Sequence, residues 1–388
     1  MNAWYRQLVR AHMLREVSEE RFDAHLQEVR QYEQMLTDEG VVLLKFWIHL
    51  SKPDQKRRLH MLESHPATRW RVTEDDRRVL KDYNKYHGTW EHLLRETSIG
   101  AAPWYVVEGM DSNYRNLTVG RILNDAMARV NAGAKPAARA VAAPAPGVIG
   151  NVALIRRLDL TQRIDESAYD RELAKWQAKL ARLTQHKRFR ERALILAFEG
   201  SDAAGKGGAI RRVTTALDAR QFVVVPIAAP TEEERAQPFL WRFWRQIPAR
   251  GGITIFDRTW YGRVLVERVE GFCGAPDWMR AYDEINQFEE QLVRAGIVVC
   301  KFWLQISKEE QLKRFKARQR TSFKRFKITQ DDWRNRKKWS AYEQAVADMV
   351  DRTSSELAPW TLVEAENKYF ARVKILKTIA KHLERALD

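Results

Sequence analysis

Leu194-Ile-Leu-Ala-Phe-Glu-Gly-Ser-Asp-Ala-Ala-Gly-Lys-Gly-Gly-Ala-Ile210 is the stretch on which the fold turns. An apolar run closes on a glycine, a glycine-rich loop follows, and helical spacing resumes at Ile210 and Val213. That order, strand then loop then helix, is how a phosphate-binding loop is made. Small residues at Gly200, Ala203, Ala204, Gly205, Gly207 and Gly208 let backbone N–H groups converge on phosphate oxygens. The helix N-terminus adds favourable partial charge, and Lys206 supplies a mobile positive charge for the transferring group. The match to G-x-x-x-x-G-K-[ST] breaks at Gly207, which replaces the hydroxyl residue that normally holds magnesium. Asp202, inside the loop, is the residue expected to take over that metal.

Downstream, Gly252-Ile-Thr-Ile-Phe-Asp257-Arg258 places a carboxylate at the end of a second apolar run. This is where a carboxylate orients metal or the reacting oxygen, so Asp257 is a second expected metal residue. Arg258 beside it is expected to neutralise charge on the transferred phosphoryl group. Further on, Gln311–Lys338 is crowded with lysine and arginine. Most such charges lie on a solvated helix face, but phosphoryl transfer depends on electrostatic clamping. Arg314, Arg318 and Lys327 are the expected inward-facing lid residues.

The surroundings alternate helix and strand. Tyr169–Gln185 has apolar residues at helical spacing, Ala281–Ala295 is amphipathic, and Phe222–Ile227, Ile253–Phe256 and Ile297–Ile306 read as strands. A mostly parallel sheet with helices on both faces is expected, the three-layer α/β arrangement of a P-loop kinase.

The chain also repeats itself. Shifted by 256 residues, Trp4-Tyr5 meets Trp260-Tyr261, and Gly40-Val-Val-Leu-Leu-Lys-Phe-Trp47 meets Gly296-Ile-Val-Val-Cys-Lys-Phe-Trp303. Ser51-Lys52 meets Ser307-Lys308, Thr73 meets Thr329, and Ala102-Pro-Trp104 meets Ala358-Pro-Trp360. Residues 1–130 are therefore expected to form a partial copy of the domain, 131–150 an Ala/Pro-rich linker, and 151–388 the complete catalytic domain. Met1 falls opposite Asp257, so nothing in copy one corresponds to about 155–256, the stretch that holds the phosphate loop. An incomplete chain and a half-domain that docks on a partner copy both account for this. Such a copy leaves a strand edge unpaired, which favours a homo-oligomer.

A net charge of +16, with 67 Lys and Arg against 51 Asp and Glu, points to polyanionic partners. No apolar run approaches the ~20 residues of a membrane span. Two distant cysteines imply neither disulfides nor a zinc site, so a cytoplasmic protein is expected. No nucleic-acid motif is present.

Gly200-Ser-Asp-Ala-Ala-Gly-Lys-Gly-Gly208, Phe256-Asp-Arg-Thr-Trp-Tyr-Gly-Arg-Val264, Ala358-Pro-Trp360 and Asn367-Lys368 together resemble the second polyphosphate kinase family. The resemblance covers residues 157–385, with its partial repeat over 1–127. The tandem arrangement resembles class II, the polyphosphate:AMP phosphotransferases. It implies a thymidylate-kinase-like fold, Mg2+, and transfer of the terminal phosphate of inorganic polyphosphate to AMP, giving ADP reversibly. By the same resemblance Asp202 binds metal or acts as base, Lys206 holds the phosphoryl group, Asp257 and Arg258 complete the centre, and Arg314 and Arg318 form the lid. Two other readings stay open on the residues alone: an ATP-dependent nucleotide or small-molecule kinase, and a polyphosphate- or nucleic-acid-binding protein with a vestigial loop.

Overall fold

The computed structural model describes residues 4–132, 153–322 and 328–388. The stretch 131–150 expected to be a linker lies outside these from residue 133 onward, and Lys327 lies outside them too. The chain divides into two compact units, Met1–Val141 and Ala142–Asp388.

In the first unit, β1 (Lys45–His49) and β2 (Trp104–Glu108) pair in parallel, Lys45 opposite Trp104. Tyr5, Val9, Phe22, Leu26 and Leu93 form a small core among its helices. The second unit holds a five-stranded parallel sheet. Its strands are β3 (Ala193–Gly200), β4 (Phe222–Pro226), β5 (Ile253–Asp257), β6 (Ile297–Gln305) and β7 (Trp360–Glu364), in the order β4-β5-β3-β6-β7. β3 lies in the middle, with β5 and β6 bonded to either side. β7 is not visible as an apolar run, because it is a five-residue edge strand buried only at Trp360 and Val363.

Side chains alternate between sheet faces along a strand. Leu194, Leu196 and Phe198 of β3, with Cys300, Phe302 and Leu304 of β6, pack against helices Glu166–Gln185, Lys206–Thr214 and Lys368–Leu387. The intervening residues, Glu199 on β3 and Lys301, Trp303 and Gln305 on β6, therefore face the opposite side. Helix Ala275–Arg294 packs along β6 and against helix Trp339–Thr353, burying Ala281, Ile285, Phe288 and Leu292 at helical spacing.

One polar cluster is enclosed on that side. Lys301 and Glu289 are 0% and 1% exposed. Lys301 Nζ donates to Glu289 Oε2 (2.7 Å), and Lys301 Nζ also donates to the Thr353 carbonyl (2.6 Å). Glu289 Oε1 accepts from Tyr261 OH (2.6 Å) and from Trp260 Nε1 (3.0 Å). Trp360 Nε1 donates to Thr353 Oγ1 at 2.9 Å. Burial pushes Glu289 up and Lys301 down, and their mutual attraction opposes both shifts.

The first unit closes the same circuit 256 residues earlier. Lys45 Nζ donates to Glu33 Oε2 (2.6 Å) and to the Thr97 carbonyl (2.5 Å). Trp4 and Tyr5 donate to Glu33 Oε1, and Trp104 donates to Thr97 Oγ1. The repeated hydroxyls are helix caps. Ser51 and Ser307 accept from Asp54 N and Glu310 N, while Thr73 and Thr329 form capping boxes with Asp76 and Asp332.

Glu289→Gln removes the countercharge and leaves the Lys301 ammonium buried. It is expected to destabilise the second unit by roughly 3–5 kcal/mol, checked by urea unfolding of variant and wild type.

Candidate active site

The loop leaves β3 where space for a side chain runs out. A Cβ on Gly200 would sit 2.7 Å from the Leu304 carbonyl oxygen of the neighbouring strand. Gly205 (φ 112°) begins helix Lys206–Thr214, and no side chain caps it. Its first-turn N–H donors are thus presented to a ligand oxygen, where an anion is favoured. Ala203 holds φ at 65°, a left-handed conformation that costs a side-chain-bearing residue about 1–2 kcal/mol. A Cβ on Gly207 would meet nothing within 4 Å, so the missing hydroxyl residue is not a matter of room.

Lys206 Nζ donates to the Gly200 carbonyl at 2.7 Å, folding back across the loop. The Asp202 side chain, 13% exposed, accepts from Arg258 Nη2 on Oδ1 (3.3 Å) and from Asn335 Nδ2 on Oδ2 (2.9 Å). Gln311 Nε2 donates to its carbonyl oxygen at 3.1 Å. Arg258 follows β5 in a left-handed conformation, its N–H bonded to the Phe198 carbonyl. Asp202, Lys206 and Arg258 are thus gathered at one loop. Asp257 closes β5 opposite Phe198 but contributes to neither of the two cavity walls described below.

Those cavities flank the loop. One, of about 110 Å³, is lined by Glu199, Asp202, Arg258, Trp303, Asn335 and Tyr342, among others. The other, of about 320 Å³, runs over Ala203–Gly205 and Gly208, with Arg314, Arg318, Lys368 and Arg372 in its wall. Arg314, expected as an inward-facing lid residue, does face inward, but onto the loop itself. It is 6% exposed, and its guanidinium is committed to main-chain carbonyls of the loop rather than turned over a donor. Arg318 does reach the wall of the larger cavity.

Several residues of the site escape the sequence motifs. Glu199, buried immediately before Gly200, accepts from Thr259 N (2.7 Å) and Thr259 Oγ1 (2.8 Å). Burial raises its carboxyl above the usual range, against the pull of Lys206 and Arg258. Its one signal is a lone charge at the end of an apolar strand. Asn335 is hidden within a basic run, and Arg372 lies far along the chain, one helical turn past the Asn367-Lys368 motif. Burial, with Glu270 and Asp202 nearby, pushes the Tyr342 phenol up and keeps it a donor to Asn335 Oδ1 and Glu270.

The family model described as polyphosphate kinase 2 matches residues 2–135 and again 163–388. The chain belongs to the polyphosphate kinase 2 family. A Pseudomonas aeruginosa polyphosphate:AMP phosphotransferase is 55% identical over 384 residues, covering 99% of this chain and 77% of that protein. A protein of the same name from Acinetobacter johnsonii is 38% identical over 388 residues, 99% of this chain and 78% of its own. Among solved structures, a polyphosphate kinase 2 from Pseudomonas aeruginosa superposes with a TM-score of 0.86 at 52% identity, covering 99% of this chain and 76% of that one. One from Arthrobacter aurescens reaches 0.57 at 34% identity, over 60% of this chain and 85% of its own. A polyphosphate kinase 2 fold thus accounts for both the parallel sheet and the repeat.

Glu199 also carries a pH dependence. With its native pKa raised, the folded state keeps a proton that the unfolded state has lost, so stability falls as pH rises from the ordinary carboxylate range to the raised value. Glu199→Gln is expected to abolish that slope and unfold at higher urea than wild type at pH 7 but not at pH 4. Paired denaturation curves at the two pH values check this.

Proposed function

We propose that the second unit transfers the terminal phosphate of inorganic polyphosphate to AMP, giving ADP and a chain one phosphate shorter. The contrast between the two cavities carries this reading. The larger presents Arg318, Lys368 and Arg372 among alanines and glycines, with no aromatic side chain among the described residues of its wall. That basic lining suits a chain of phosphates. The smaller holds Trp303, Trp339 and Tyr342 around Asp202 and Glu199, a wall suited to a nucleotide base and sugar. The phosphate loop separates them, as a transfer between two bound molecules requires.

The chemistry asks little covalent participation of the protein. An AMP phosphate oxygen attacks the terminal phosphorus of the donor, a new P–O bond forms, and the bridging P–O bond to the rest of the chain breaks. The displaced chain carries the electron pair away as a phosphate oxygen. The uncapped N–H groups at Gly205–Gly207 hold the donor's terminal oxygens. Lys206 exchanges the Gly200 carbonyl for the transferring group. Arg258, 53% exposed beside Asp202, neutralises charge as it spreads over the phosphoryl oxygens.

Mg2+ fits this site in the way it usually sits with phosphates, bound by one or two carboxylates and otherwise by substrate oxygens and water. The described residues contain no cluster of three or more metal-ligating side chains. Asp202, whose carboxylate faces the smaller cavity, would hold the ion, which when bound offsets phosphate charge. No helix among the described residues is long and apolar enough to cross a membrane. Free thiols at Cys273 and Cys300 suit a cytoplasmic setting.

The test is ADP formation from AMP and long-chain polyphosphate with Mg2+ and no ATP, comparing wild type with Lys206→Ala. Steady turnover that drops by about 100-fold or more in the variant is the expected result. Turnover with ATP but not with polyphosphate would overturn the donor assignment.

A further inference from the structure

Arg314 has no donor left for a substrate. Its Nε bonds Glu310 Oε1 at 2.7 Å, Nη1 bonds the Ala203 and Ala204 carbonyls (2.9 Å each), and Nη2 bonds those of Ala365 (2.8 Å) and Glu366 (2.9 Å). A guanidinium has five N–H groups, and all five are used. Two acceptors belong to the phosphate loop, at and beside the left-handed Ala203. Two more lie in the short segment after β7, next to Asn367, which caps the helix carrying Lys368 and Arg372. Arg314 therefore joins three segments that wall the larger cavity.

We infer that Arg314 is a positioning residue, a clamp that holds the phosphate loop in its anion-ready shape and sets Lys368 and Arg372 relative to it. This rests on the reading of the loop as the phosphoryl-transfer site. The first unit supplies a contrast. Arg58 stands at the same place on helix Lys52–Ser64, 256 residues earlier, in a unit whose described residues include no phosphate loop. It lies exposed, and the Gly109 carbonyl, at the place of Ala365, is taken by Arg115. The arginine is buried where there is a loop to hold.

A lysine keeps the charge but has three donors and no planar fork, so it cannot satisfy five acceptors. In the full chain, Arg314→Lys is expected to raise amide hydrogen exchange across 200–208 and 365–372 without any substrate. It is also expected to cut kcat by about 100-fold, as misplacement of reacting groups does, with KM for AMP and for polyphosphate unchanged. Added guanidinium should restore part of the rate to Arg314→Ala. A rise in polyphosphate KM that grows with chain length, at full kcat, would make Arg314 a donor contact and overturn the clamp. Unaltered exchange in the lysine variant would overturn it as well. Should wild type show no transfer from polyphosphate to AMP, the functional reading fails, and the exchange comparison still decides the clamp. Should the alanine variant not fold, the lysine variant decides alone.

Discussion

The Lys301–Glu289 pair is the interaction around which the second unit is organised. Two opposite charges removed from water cost several kcal/mol each, and only complete hydrogen bonding compensates that. The fold supplies it by bringing Trp260, Tyr261 and Thr353 to one point. The turn after β5, the helix along β6 and the end of helix Trp339–Thr353 are locked together as a result. Arg258 comes immediately before that turn, and Trp339 and Tyr342 ride on that helix. The residues of the smaller cavity are thus held by a cluster that lines neither cavity. The first unit, built on Lys45 and Glu33, keeps the lock although its described residues include no loop for it to serve.

Parity along strands does the rest of the placement. Because successive side chains face opposite sides, the step from Phe198 to Glu199 moves from a dry helix-covered face to the face where the smaller cavity opens. Glu199 and Trp303 are opposite one another in the β3–β6 register, so carboxylate and indole enter one wall together. The sheet order makes this possible: with β3 central, the loop after it lies between the ends of β5 and β6.

Much of this was legible before any coordinates. β3, β5 and β6 are buried on both faces and read as apolar runs, and the phosphate loop is a local motif whose geometry comes from its own glycines and helix. The repeat was visible because its matched residues are caps and members of a buried circuit, positions where few substitutions are tolerated. What could not be read depends on packing at a distance. Whether an arginine in a basic helix meets solvent, a substrate or main-chain carbonyls is decided by which loop lies beside it, and Arg314 and Arg58 share a position yet differ in burial. Asn335 looks like one polar residue in a charged stretch until its amide is seen against Asp202. The edge strand β7 lacked a signal because only two of its side chains are buried.

The glycines of the loop look alike on paper, but the structure separates them. Position 200 is closed by the carbonyl of the next strand, while position 207 opens on empty space. Over generations of mutation the first is held by that collision and by its φ of 152°, and the second is sterically free to drift. The loop can therefore acquire or shed a hydroxyl at 207 without rebuilding the sheet behind it, which makes that one position a low-barrier route for descendants of this scaffold to change how they hold their counterions.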